Sequence, residues 1–351
     1  MFKKSLGLLT AALLLVGCAT TASPSASAPA SGSAAPASSA ASKGSIVSFI
    51  NGSLGDGAFF DDAESGIQKL KAEGYTTQSI QSTAGNQVQY KSTLEQLSDG
   101  KYKYVICGSA DLKDILTDVA DKYPNQKYIM YDETVDAPNV ASIMYRQNEG
   151  SFLAGVLSAL VTTNKDKFPM ATGKKIVGLV AGQDGPVIQD FIVGFKKGVE
   201  SVDPAIQVKV SFVGAWDNPN KGYDQAKVMY DAGADVVYQV AGGSGIGVLK
   251  AAAATKRYAI GVDSNQNAVQ KGYVLASMLK RIGDSLVKAV HDADAGTLEF
   301  GKVTWYGLAN EGVGLTFENN GDIVPADIQA KIKELGAKVA SGEIKVPSTI
   351  G

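Results

Sequence analysis

Short apolar runs alternate with segments of helical period along the chain from Ser45 onward. Runs of four or five apolar residues are typical of buried strands, whereas apolar residues three and four apart indicate amphipathic helices. The first half predicts, in order, a strand at 46–50, a helix at 59–73, a strand at 76–80, a helix at 88–97, a strand at 104–107, a helix at 112–123, and strands at 127–131 and 140–145. This βαβα order predicts a parallel sheet with helices on both faces.

The same alternation begins again in the second half of the chain. The predicted strands lie at 175–180, 208–212, 235–240, 258–262 and 274–278, and the predicted helices at 152–161, 186–202, 223–231, 248–254, 282–292 and 325–339. Pro186 suits the first turn of its helix, where a backbone N–H has no intrahelical partner. Two successive units of this kind predict two similar α/β lobes.

The chain before Ser45 has a different composition. Lys3 and Lys4 precede an apolar run at 8–16, which is typical of an export signal and is too short to span a membrane as a mature helix. Residues 19–42 are almost wholly Ala, Ser, Pro and Thr. Such a segment cannot bury enough apolar surface to fold, so we expect a flexible tether.

Cys18 directly follows the small residue Gly17 and resembles the modified cysteine of a bacterial lipobox. This resemblance implies a lipoprotein signal peptide at 1–17, cleavage before Cys18 and a lipidated tether at 18–44. We therefore expect a lipid-anchored protein on the extracytoplasmic face of the cell membrane. An uncleaved anchor helix with a chance cysteine is the alternative interpretation.

Composition argues against several classes of function. The 33 Lys and Arg residues nearly balance the 35 Asp and Glu residues, so nucleic acid is not an expected partner. Besides Cys18 there is one cysteine, Cys107, which we expect at a buried strand end, and one histidine, His291. A single histidine argues against a metal cage or a His-dependent nucleophile. We expect no enzyme activity, no metal and no cofactor.

Polar or glycine-rich loops follow most of the predicted strands. They lie at 51–56, 108–111, 181–185, 214–217, 241–245 and 263–266. Ligands bind parallel sheets at the carboxyl ends of the strands, so these loops line one cleft if the two lobes face each other. The run 242–247 lacks the Gly-x-Gly-x-x-Gly spacing of a dinucleotide site. Its Gly243 indicates either close approach of the backbone to a ligand or a tight strand-to-helix turn.

Five side chains near these loops suggest the chemistry of a ligand. The strand-tip carboxylate of Asp263 could accept two hydroxyl hydrogen bonds from a sugar diol, and Lys280 could donate to the same oxygens. One of Phe59 and Phe60 could present its ring to a planar group, and Trp216 in a loop could stack on a base. The alternatives are a turn aspartate, a surface lysine, buried phenylalanines and packing of Trp216 between loops.

Together, these segments resemble the basic membrane protein family of lipoproteins, which includes a purine nucleoside receptor. The resemblance covers residues 45 to about 317, and its strongest runs are 51–66, 149–155, 182–188, 233–237, 242–247, 261–263 and 277–280. It implies a type I periplasmic-binding fold, in which two doubly wound parallel-sheet α/β lobes flank a hinged cleft. We assign residues 45–146 and 281–310 to lobe 1, and residues 147–280 and 311–351 to lobe 2.

The resemblance also implies roles for individual residues. Phe59 matches the aromatic residue that stacks on the base, and Trp216 occupies the facing aromatic position. Asp263 and Lys280 match the pair that binds the ribose. The acidic residue that contacts the base most resembles Asp114, with Asp111 as the alternative.

Two positions depart from the family pattern. Asn51 stands where many members have aspartate, and Phe60 stands where the family usually has asparagine. These departures leave the base preference open. Asp56, Gly182 and Gly243, on the loops at the strand ends, complete the predicted binding set.

The resemblance implies a monomeric substrate-binding protein that captures a nucleoside, with a purine expected, and delivers it to the permease of an ABC importer. The alternatives are another solute such as a sugar, a flavin or a signalling molecule, and a sensor that feeds a membrane kinase. An enzyme is a third alternative, against which the single histidine argues.

Overall fold

The computed structural model describes residues 42–351. Its strands are β1 (Ser45–Ile50), β2 (Thr76–Gln81), β3 (Tyr104–Gly108), β4 (Tyr128–Tyr131), β5 (Val140–Tyr145), β6 (Ile176–Ala181), β7 (Gln207–Phe212), β8 (Val236–Val240), β9 (Tyr258–Asp263), β10 (Val274–Lys280), β11 (Val303–Tyr306) and β12 (Val313–Thr316). Its helices are α1 (Phe59–Ala72), α2 (Gln87–Leu97), α3 (Lys113–Lys122), α4 (Gln147–Thr163), α5 (Pro186–Val202), α6 (Pro219–Asp231), α7 (Gly245–Thr255), α8 (Ile282–Asp294) and α9 (Ala326–Ala340).

The strands form two six-stranded sheets. The first sheet has the order β11-β5-β4-β3-β1-β2 and is parallel throughout. The second has the order β12-β10-β9-β8-β6-β7 and is parallel except for β12, which runs antiparallel to β10. Helices connect most of the parallel neighbours that follow one another in the chain, whereas loops alone connect β4 to β5 and β9 to β10.

Within residues 42–351 the chain passes between the two sheets at three places. It does so from β5 to α4, from β10 to α8, and from β11 to β12. Helix α8 packs on α1 beside the first sheet, whereas α4 packs on α5 beside the second. Each sheet is therefore completed by a segment from elsewhere in the chain.

The sequence pattern missed two edge strands and placed the starts of α4 and α6 four or five residues too late. Both β11 and β12 have only four residues, and Val303 in β11 is exposed, so neither segment shows a buried apolar run. Helix α4 begins at Gln147, five residues before the predicted start at 152. Its first turn is polar, and Gln147 Nε2 and the Asn148 N–H donate to the buried carboxylate of Asp190 on α5. Tertiary contacts therefore stabilise a turn that has no amphipathic signal.

Cys107 lies in β3 and is fully buried, as expected from the apolar run before it. Its sulfur is 3.9 Å from the Met130 sulfur in β4, and burial raises the pKa of its thiol to about 12. Within the described residues, no helix has the length and apolar character needed to cross a bilayer. The predicted signal peptide, Cys18 and the tether up to residue 41 lie outside the described residues.

Candidate functional site

The carboxyl ends of the two sheets meet at the loop between β1 and α1. We call this loop, residues 51–58, the β1 loop. Its Gly57 carbonyl accepts a hydrogen bond from Gln266 Nε2 at 2.9 Å, and its Ala58 carbonyl accepts one from Ser264 Oγ at 3.2 Å. Ser264 and Gln266 follow β9 of the second sheet. Segments at the carboxyl ends of the two sheets therefore lie against each other.

Phe59 and Phe60 begin α1 and have different surroundings. Their ring centroids are 5.2 Å apart with the planes at 72°. Phe59 is half-buried, and its centroid lies 5.4 Å from that of Tyr131 at the end of β4. Phe60 covers Gly52, where a Cβ would approach the ring to 2.7 Å. Phe59 thus faces the junction of the sheets, whereas Phe60 packs on the β1 loop.

Lys280 ends β10 and is only 1% exposed, so it is not the surface lysine that the sequence allowed as an alternative. Its ammonium lies 5.5 Å from the Phe59 centroid and 5.3 Å from the Phe191 centroid, within the range of cation–π attraction. It forms an ion pair with Asp132. A buried ammonium needs such a partner, because an unpaired charge in an apolar interior is strongly unfavourable.

Asp132 belongs to the buried charged cluster around Lys280 and is absent from the binding set predicted from the sequence. It follows β4 directly, has a φ of 66° and is buried. Burial raises the pKa of its carboxyl, and the neighbouring Lys280 ammonium opposes this shift. The sequence does contain a pattern that indicates Asp132, because this aspartate directly follows an apolar strand, as Asp263 ends one.

Asp263 at the end of β9 is 7% exposed and has a φ of 63°. Burial raises the pKa of its carboxyl to about 8; Lys280 opposes the shift, and the carboxylates of Asp132 and Asp56 add to it. Within residues 42–351 its side chain accepts no hydrogen bond. A buried carboxylate without donors is costly, which favours a ligand that brings hydroxyl or amine donors to it.

Asp263 also borders a polar cavity of about 260 Å³. The cavity lies between α1 and the segments that follow β9, β10 and β12. Its lining includes Asp62, Ser65, Ser264, Asn265 and Arg281. The Asp62 carboxylate accepts a hydrogen bond from the Gly283 N–H at 2.8 Å, and burial raises its pKa to about 6. The surroundings of Asp263 are therefore polar on this side.

Trp216 lies in the loop after β7 and is 37% exposed. Its indole covers Gly182 at the end of β6, where a Cβ would come within 2.3 Å of the ring. Its carbonyl accepts a hydrogen bond from the Ser244 N–H at 2.8 Å. This hydrogen bond ties the backbone of Trp216 to the glycine-rich loop after β8. Gly243, in that same loop, lies close to Asp56 of the β1 loop.

Phe59 and Trp216 do not stack on each other among the described aromatic pairs. Each ring is anchored on its own sheet, Phe59 beside Tyr131 and Trp216 over Gly182. Neither ring is sealed in the interior, since Phe59 is half-buried and Trp216 is partly exposed.

Asn51 and Asp56 both take part in local hydrogen bonds. Asn51 Nδ2 donates to Ser109 Oγ at 2.8 Å, and its side-chain oxygen is buried without a partner among the described residues. The Asp56 carboxylate accepts hydrogen bonds from the N–H groups of Ala58, Phe60 and Asp61 at 3.0–3.1 Å. Asp56 therefore caps α1 and positions the two phenylalanines.

Asp114 lies in the first turn of α3 and is exposed, as is Asp111. Within residues 42–351 the Asp114 side chain forms no hydrogen bond or ion pair, so the structure does not join it to the buried cluster around Lys280. The described residues also contain no group of three side chains that could hold a metal ion.

Comparison with known proteins identifies the family and the fold. A family model described as an ABC transporter substrate-binding protein, PnrA-like, matches residues 43–349. A CD4+ T-cell-stimulating antigen of Listeria monocytogenes is 32% identical over 322 residues, with 84% of this chain and 85% of the relative covered. The ABC transporter nucleoside-binding protein BmpA of Lactococcus lactis is 30% identical over 333 residues, covering 87% and 89%. Basic membrane protein D of Borreliella burgdorferi is 30% identical over 306 residues, covering 85% and 86%.

A crystal structure of an ABC transporter solute-binding protein from Aeropyrum pernix superposes with a TM-score of 0.77 at 27% identity, covering 86% of this chain and 93% of that one. The predicted family and the periplasmic-binding fold with two α/β sheets are confirmed. The chain therefore belongs to the Bmp family of PnrA-like ABC transporter substrate-binding proteins, which makes it a binder of solutes rather than an enzyme.

Proposed function

We propose that this protein captures a nucleoside, preferably a purine nucleoside, at the junction of the two sheets and delivers it to an ABC permease. The observation that carries the proposal is that the aromatic ring of Phe59 lies beside the buried charged side chains around Lys280. The half-buried ring of Phe59 adjoins Lys280, and Asp263 lacks a donor within the described chain. A nucleoside offers the matching pair of groups, a planar base and a ribose rich in hydroxyls.

In this proposal the base stacks on Phe59, and Trp216 closes over it from the second sheet. The ribose hydroxyls donate to Asp263. Lys280 also contributes, because an ammonium has three N–H donors and Asp132 does not require all of them. The remaining predicted contacts are Asn51, Asp56, Phe60, Asp114, Gly182 and Gly243. The nucleoside-binding relative from Lactococcus lactis supports this choice of solute.

The connectivity of the two sheets supports a closure of the site. We propose that lobe 1, residues 45–146 and 281–310, rotates against lobe 2, residues 147–280 and 311–351, about the three segments that pass between the sheets. Hinge closure around a solute is the characteristic motion of periplasmic-binding folds. A single copy with its solute enclosed would then dock on the permease.

Titration calorimetry of the purified protein against a panel of purine and pyrimidine nucleosides tests the solute. We expect Phe59→Ala to weaken binding about 5- to 150-fold, because a base stacked on an aromatic ring contributes about 1–3 kcal/mol. Val88→Ala serves as the control, since Val88 is 84% exposed on α2. Tight binding of a sugar or a flavin, with no nucleoside bound, would contradict the proposal.

We also propose that the protein is held by lipid at Cys18 on the extracytoplasmic face of the membrane. Cells fed an alkyne fatty acid should label the parent protein, and the label should follow the membrane fraction. Cys18→Ser should abolish both the label and the membrane association. Cys107→Ser should retain both, because Cys107 is buried in β3. Labelling of the Cys18→Ser variant would rule out this anchor.

A further inference from the structure

A chain of side-chain amides leads from the second sheet to the β1 loop. The Ala241 N–H donates to Gln239 Oε1 at 3.1 Å, and Gln239 Nε2 donates to Gln266 Oε1 at 2.6 Å. Gln266 Nε2 then donates to the Gly57 carbonyl at 2.9 Å. Both glutamines are buried; the two hydrogen bonds within the second sheet are buried as well, and the one to Gly57 is partly buried. The last one joins the two sheets.

Backbone groups fix the direction of this amide chain. The Val262 N–H, which can only donate, lies 3.0 Å from Gln266 Oε1. The Gly57 carbonyl, which can only accept, faces Gln266 Nε2. The two ends of the Gln266 amide are therefore assigned by their partners, although oxygen and nitrogen have nearly the same shape. Gln266 must present an N–H to the β1 loop.

Two glycines make room for the glutamine side chains. A Cβ on Gly245 would lie 1.8 Å from Gln239 Oε1, and a Cβ on Gly261 would lie 2.7 Å from Gln266 Oε1. The side chains are thus packed in one orientation within the second sheet. A donor that is already oriented loses little conformational entropy when its acceptor arrives.

We propose that Gln266 is a closure latch: it is a positioning residue whose fixed N–H stabilises the approach of the β1 loop to the second sheet. Ser264 Oγ adds a second hydrogen bond across the same boundary, to the Ala58 carbonyl. The latch deepens the proposed function, since it rests on closure around a solute. It does not depend on which solute is bound.

The test uses Gln266→Glu, which preserves the shape of the side chain. One carboxylate oxygen still accepts from the Val262 N–H, while the other faces the Gly57 carbonyl without a proton to donate. Gln87→Glu is the matched control, because it makes the same atomic change on the exposed first turn of α2. The full chain carries a donor and an acceptor dye on unnatural ketone side chains at Val88 and Val228, which are exposed on α2 and α6.

Single-molecule energy transfer between these dyes measures the ratio of closed to open molecules, without added solute and with saturating nucleoside. At about pH 8 we expect Gln266→Glu to reduce this ratio about tenfold, the effect of losing one hydrogen bond of roughly 1.4 kcal/mol. Gln87→Glu should have the same ratio of closed to open molecules as the parent. Lowering the pH to about 5 should restore part of the ratio, since a protonated carboxyl can again donate to Gly57.

The carboxylates of Asp56 and Asp263 lie on the two joined segments and titrate in every variant, so each ratio is compared with that of the parent at the same pH. The latch would be overturned if the energy-transfer distributions of Gln266→Glu match those of the parent both without solute and with saturating nucleoside. A ratio that falls equally at both pH values would also overturn it, because that result indicates a general structural defect. If nucleosides change no distribution while Gln266→Glu still does, the latch stands and the proposed solute is wrong.

Discussion

The ion pairing and burial of each charged residue at the sheet junction depend on its neighbours in the folded chain. Asp263 could be chosen from the sequence because it ends an apolar strand. The ion pair of Lys280 with Asp132 could not be predicted from the sequence, because the two residues are distant along the chain and meet only when the sheets assemble. The exposed position of Asp114 likewise depends on where α3 packs. Sequence thus identified polar strand ends, whereas the pairing among them required the tertiary structure.

The pH dependence of stability provides a test of Asp263. Burial raises the pKa of its carboxyl in the folded chain from 3.8 to about 8. Between these values the folded chain holds a proton that the unfolded chain releases, so this residue lowers the stability as the pH rises. Urea unfolding should therefore show Asp263→Asn gaining stability relative to the parent between about pH 5 and about pH 8.

Asp114→Asn is the control for this measurement, because Asp114 is exposed and forms no hydrogen bond within the described chain. Its stability relative to the parent should stay nearly constant over the same range. A constant difference between Asp263→Asn and the parent would show that Asp263 has an ordinary pKa.

At the level of secondary structure, the sequence predicted the elements that have a clear period. The central strands of both sheets are continuous apolar runs, because helices cover both faces. The short edge strands β11 and β12 lacked this signal, as did the polar first turn of α4. These elements are stabilised by partners that lie elsewhere in the chain, so no local pattern could reveal them.

Helix α1 depends on Asp56 for its start. The carboxylate accepts three backbone N–H groups that would otherwise lack partners within the helix. We expect Asp56→Ala to lower the free energy of unfolding by about 0.5–2 kcal/mol, the usual cost of losing a helix cap. Urea unfolding measures this loss, with Asp114→Ala in the first turn of α3 as the control. Equal stability of Asp56→Ala and the parent would show that the cap contributes nothing.

At the level of the whole molecule, the three passages between the sheets make each sheet dependent on the other half of the chain. The family resemblance implied such an exchange of segments, whereas the periodic pattern alone suggested two consecutive units. The second sheet receives β12 after the chain has returned to the first sheet for α8 and β11. The two sheets cannot be separated by a single cut, so we expect them to fold cooperatively.

The buried thiol of Cys107 gives this cooperativity a direct readout. The thiolate is the form that attacks alkylating reagents. Because the Cys107 thiol has a pKa of about 12 and no solvent access, the native protein presents almost no reactive thiolate to them. Modification at this position must wait until β3 leaves the sheet. The rate at which Cys107 becomes alkylated therefore reports how fast the first sheet opens. Mass spectrometry can follow this rate in the protein without any substitution.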